Sequence, residues 1–84
     1  MEAPSPSQRV EISDLNLASF LRCRGHPFVQ LKHNGGRTFF VFEDSENLRQ
    51  GVLDFANDAP VPVRSFCNTL RDLKALTRSE RTSG

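Results

Sequence analysis

Two short apolar runs, Phe28-Val29-Gln30-Leu31 and Phe39-Phe40-Val41-Phe42, flank His33-Asn34-Gly35-Gly36. Asn-Gly accepts the positive φ values of a tight hairpin turn, so the stretch reads as a β-hairpin. The second run is unusual. A strand with one solvated face alternates apolar and polar residues. Here Phe39 and Val41 point one way, and Phe40 and Phe42 the other. Two arrangements accommodate such a strand: helices on both faces, or one face reserved for a partner.

Helix signals surround the hairpin. Ser13 is a good N-cap, with Asp14 in the first turn, where it meets the positive helix end. Ile12 and Leu17 have the spacing of a hydrophobic staple. Leu17, Ala18 and Leu21 form one apolar face, widened by Leu15 and Phe20. Gly25 ends this helix in the left-handed C′ position, and Pro27 blocks its continuation. The first helix is therefore expected over residues 14–24. After the hairpin, Asp44 or Ser45 caps a second helix, in which Leu48, Val52, Phe55 and Ala56 repeat at helical spacing. Gly51 costs that helix about 1 kcal/mol relative to alanine, and its presence points to a close approach of backbone. Asn57-Asp58-Ala59-Pro60 breaks the run. Pro62 suits the first turn of a third helix, whose apolar stripe is Val63, Phe66, Leu70 and Leu73, with Leu76 at the edge.

The expected architecture is a small single α+β domain in the order α-β-β-α-α, with a two-stranded antiparallel hairpin packed with three helices. Residues 1–10, which include two prolines and two serines, read as a disordered N-terminal tail, 11–78 as the domain, and 79–84 as a disordered C-terminal tail. Roughly 65 residues bury only about 60% of their unfolded surface. Marginal stability of that kind favours dimerisation or a partner.

The stretch from Ile12 to Arg78 resembles a family of short prokaryotic and phage-borne proteins known only as a domain of unknown function. The matching pieces are Ser13-Asp14-Leu15-Asn16-Leu17-Ala18 leading to Arg24-Gly25-His26, then Phe40-Val41-Phe42-Glu43-Asp44-Ser45, and Leu70-Arg71-Asp72-Leu73-Lys74. These are mainly caps, turns and core positions. The resemblance implies a fold and an origin in mobile elements or phage, and assigns no catalytic or binding residue.

Chemistry is best supported on the third helix. At 100° per residue, Arg64, Arg71, Lys74, Arg78 and Arg81 fall within an arc of roughly 100°, opposite Phe66, Leu70 and Leu73. Cations one or two turns apart on a rigid rod reach successive phosphates; the plain alternative is the solvated face of an amphipathic helix. Arg22, Arg24 and Arg37 are outlying candidates. Net charge is only +1, so attraction to a polyanion has to come from such a local patch. Phe40 and Phe42 are the candidate partner interface, against the plain reading that these rings are core.

Other chemistries find little footing. Cys23-x-x-His26 has a ligand-like gap, but an extended 26–33 segment sets His26 and His33 roughly 23 Å apart at ~3.3 Å per residue. No base is placed beside Cys67, and Gly35-Gly36 belongs to the hairpin, not to a phosphate loop. No metal, cofactor or small-molecule substrate is expected, and the chain reads as a non-enzyme. Two cysteines in 84 residues suit a reducing cytoplasm, and no apolar run approaches the ~20 residues that span a bilayer. The expected function is a non-catalytic binding module. Nucleic acid, held by Arg64, Arg71, Lys74 and Arg78, is favoured as the partner. The alternative is a homodimer or protein–protein interaction domain built on the Phe40/Phe42 face.

Overall fold

Side chains alternate along the segment just before the first helix: Arg9, Val10, Glu11, Ile12. In the computed structural model, which describes residues 8–82 and side chains through Arg78, this segment is a strand, β1 (Arg9–Ile12). It is followed by α1 (Leu15–Cys23), β2 (Phe28–Asn34), β3 (Arg37–Glu43), α2 (Glu46–Ala56) and α3 (Val63–Thr82). The chain is α+β, with a three-stranded antiparallel sheet in the order β1-β3-β2. The expected two-stranded hairpin thus gains a third strand, because Val10 and Ile12 pair with Phe42 and Phe40 of β3. Two residues assigned to the N-terminal tail, Arg9 and Val10, belong to that strand. Residues 1–7 lie outside the described residues, and the α3 backbone runs on through the first residues of the expected C-terminal tail.

Local chemistry sets the helix ends. Asp14, not Ser13, is the N-cap of α1: its Oδ1 accepts from the N–H of Asn16 at 2.9 Å and of Leu17 at 3.2 Å. A carboxylate there satisfies two otherwise unpaired amides and faces the positive helix end. With the cap at 14, Ile12 is too early for a staple and is buried in β1 instead. At the other end Gly25 takes φ +95°. Its N–H donates to the Arg22 carbonyl, and the His26 N–H donates to that of Leu21, the paired bonds of a Schellman motif. Ser45 caps α2 through Oγ to the Leu48 N–H at 3.0 Å. Asp58 closes α2 with the same paired bonds at φ +63°.

The sheet's two faces differ. Phe40, Phe42 and Ile12 join Ala18, Phe20 and Leu21 of α1, Leu48 of α2 and Leu73 of α3 in one core, so all three helices contribute to that face. Phe40 and Phe42 are 1% and 0% exposed. The expectation that they form a partner interface is therefore corrected: α1–α3 already cover them. A bulge at Val29 keeps β2 in step. Without the extra residue, Phe28 and Leu31 would point to opposite faces. With it, both pack on the core, and the Phe28 ring meets Phe40 and Phe42 at 5.3 and 6.3 Å. The other face carries Val41 and Phe39, and Val41 is buried there without a helix. Its cover comes from neighbours on its own sheet.

Gly51 is buried against α1. A Cβ there would lie 2.8 Å from Leu21 Cδ2 and 3.6 Å from His26 Nε2. The close neighbours are thus side chains, not the backbone expected from the sequence.

Candidate nucleic-acid interface

α3 packs antiparallel on α1. Cys23 Sγ donates to Thr69 Oγ1 at 3.6 Å, while Leu15 at the start of α1 and Thr77 line one hollow. The same register, one turn from each, sets Ser19 beside Leu73. Leu73 is the one buried side chain described on α3. α1 has 9 residues and α3 has 20. At 1.5 Å per residue, α3 is longer than its partner by about 16 Å. Most of the described α3 side chains are exposed.

The cations occupy that outward surface. Arg64, Arg71, Lys74 and Arg78 are all exposed. Arg71, Lys74 and Arg78 line a shallow furrow of about 330 Å³ with Cys67, Leu70 and Ala75. All six belong to α3, so the furrow runs between side chains of a single helix, and Leu70 borders the cations instead of lying opposite them as expected. Arg64 lies two turns from Arg71 on the same helical face. The side chain of Arg81 lies outside the described residues.

Ion pairing separates Arg64, Arg71 and Lys74 from several other cations. Arg24 is bound to Asp54 at 2.8 Å, Lys32 to Glu11 at 2.6 Å and Arg49 to Asp44 at 3.0 Å. Among the described residues, Arg64, Arg71 and Lys74 take part in no ion pair. Asp72 stands between Arg71 and Leu73 in sequence but projects about 100° around the helix from Arg71.

The outlying candidates divide. Arg24 is committed twice, to Asp54 and over the Phe20 ring at 5.1 Å, so it is removed from the set. Arg22 is exposed on α1. Arg37, at the start of β3, lines a hollow of about 380 Å³ with Ser13, Leu15 and Thr77. Thr77 precedes Arg78, so the hairpin end brings Arg37 toward the C-terminal turns of α3. Sequence spacing alone held no signal for that approach, which depends on how α3 lies across the sheet.

The histidines serve the fold. The half-buried ring of His26 lies beside Gly51, and His33 Nδ1 meets Thr38 Oγ1 across the hairpin at 3.2 Å. Among the described residues, no group of three or more His, Cys, Asp and Glu is placed to hold a metal ion. Both cysteines are free thiols. No described helix is long and apolar enough to cross a membrane.

Residues 8–79 match the family described as domain of unknown function DUF5659. The chain belongs to the DUF5659 family. The match takes in all three strands and all but the last turn of α3, so the cationic face lies inside the DUF5659 domain and not in an appendage to it. No curated protein and no solved structure gives a significant match to this DUF5659 chain.

Proposed function

We propose that the protein is a non-catalytic nucleic-acid-binding module of the cytoplasm, with the outward face of α3 as its contact surface. One observation carries this reading: Arg64, Arg71 and Lys74 are exposed on one face of a continuous helix without carboxylate partners among the described residues, and Arg78 shares a furrow with Arg71 and Lys74. From Arg64 to Arg78 is about 21 Å along the axis at 1.5 Å per residue. Such a row lies along a phosphate backbone and displaces its condensed cations. Contacts of this type fix position without reading bases, so binding is electrostatic and tolerant of sequence. Arg22 and Arg37 supply outlying contacts.

The test is a titration of labelled single- and double-stranded DNA and RNA at low salt against the wild type and an Arg71→Glu/Lys74→Glu variant. The reading expects binding by the wild type and its loss in the variant, with thermal stability unchanged because both side chains are exposed. Equal binding by the two proteins overturns it.

A further inference from the structure

β1 is an edge strand, and its free edge is complementary to itself. The Asp44 N–H donates to the Gln8 carbonyl, which fixes the phase of the β1–β3 ladder: Gln8, Val10 and Ile12 turn their backbone polar groups toward β3. Arg9 and Glu11 consequently turn theirs outward, and these have no backbone partner among the described residues. The side chains of Arg9 and Glu11 both stand on the face away from the helices, opposite Glu43 and Val41. Arg9 takes part in no ion pair among the described residues.

On the helix side of the same edge lies an apolar hollow of about 330 Å³. Val10, Leu48, Val52 and Leu53 line it, with Asp44 and Arg49 at its rim. Leu53 is 55% exposed. The opposite edge of the sheet is different: β2 carries the Val29 bulge, a device that discourages edge pairing.

We propose that two copies of this chain associate through β1, antiparallel about a two-fold axis at Val10, to form a continuous six-stranded sheet. In this register Arg9 of each copy faces Glu11 of the other. Those are the residues whose N–H and C=O groups point outward, so four backbone hydrogen bonds form where none exists among the described residues of one chain. Each crossing point then also sets Arg9 against Glu11, whose carboxylate holds Lys32 of its own chain as well. Val10 meets its own copy in the closely spaced, non-hydrogen-bonded position, and the two apolar hollows meet across the axis. A slip of two residues would place Glu11 against Glu11, so the charges select the register. The interface is isologous, as closed dimers require. It stands apart from the nucleic-acid reading, because the cations of that site are on α3.

Solution mass against concentration, by analytical ultracentrifugation of the full chain, tests the proposal. The mass is expected to rise from one chain toward two between micromolar and millimolar protein. Arg9→Glu alone and Glu11→Lys alone each set like charges at both crossing points, and each is expected to weaken association by about tenfold or more. An equimolar mixture of the two variants restores opposite charges at both crossings, so it is expected to associate again as a heterodimer. Val10→Cys, in a Cys23→Ser/Cys67→Ser background, places two thiols on Cα atoms about 4.5 Å apart, within disulfide reach, and is expected to oxidise to a covalent dimer. A one-chain mass at every concentration overturns the proposal. So does association that ignores the charges at positions 9 and 11.

Discussion

Lys32 reaches over the central strand to Glu11, with Nζ 2.6 Å from Oε2. Lys32 stands beside Phe39 and Glu11 beside Val41, so the pair crosses β3 on the diagonal between these two apolar residues. Its methylene stems keep Val41 at 2% exposure, while the charged heads stay wet. This resolves the two-faced strand without a second helical layer. An exposed ion pair contributes little by itself, about 0.2–1 kcal/mol, so cover should matter more than charge. Lys32→Met, which keeps a stem, should leave stability nearly unchanged, and Lys32→Ser should lower it by about 0.5–1 kcal/mol. Urea denaturation of the two variants gives the comparison.

Gly51→Ala should destabilise the protein although alanine is the better helix former. The added methyl would meet Leu21 Cδ2 at 2.8 Å, and Leu21 is wholly buried. Overpacking costs about 1–3 kcal/mol against a propensity gain of about 1 kcal/mol. A net loss of about 1 kcal/mol in the midpoint free energy is expected.

Ser19 should respond in the opposite direction. It is 0% exposed, and its Oγ has no hydrogen-bond partner among the described residues. Its small side chain lets α3 lie close at the Leu73 turn, but the hydroxyl is desolvated without compensation. Ser19→Ala keeps the small volume and removes the penalty, so stability should rise by about 1 kcal/mol or more. Thermal unfolding of the single variant is sufficient to see it.

Arg49 grips Asp44 through Nε to Oδ1 at 3.2 Å and Nη2 to Oδ2 at 3.0 Å. That hydrogen bonding, aided by the positive charge, holds the Asp44 carboxyl below its ordinary value of 3.8. A carboxyl depressed in the folded state adds stability at pH above its unfolded value, and loses it as pH falls through the folded one. Acid unfolding of the wild type should therefore include a contribution below about pH 4. Arg49→Ala should flatten that part of the stability–pH curve and leave its shape near neutrality unchanged.

Much of this architecture is written locally. Gly25, Ser45 and the break at 57–60 act through neighbours a few residues away, and the hairpin through Asn34-Gly35. The cationic face of α3 follows from helical spacing alone, and the structure exposes its residues accordingly. What could not be seen involves distant partners. β1 is four residues long and finds its partner about thirty residues on, so Ile12 looked like a staple residue. Which face of β3 meets the helices depends on how α1–α3 pack on Phe40 and Phe42, and the periodicity of β3 is the same either way. Arg24 resembled a free cation until Asp54, thirty residues later, came beside it.

The salt dependence of nucleic-acid affinity tests the central claim most directly. Four cations on duplex DNA predict that log K falls with log[salt] at a slope of about −3 to −4, reduced by about 1 for each of Arg64, Arg71 and Lys74 neutralised. A flat slope, or no binding at low salt with micromolar protein, would contradict it.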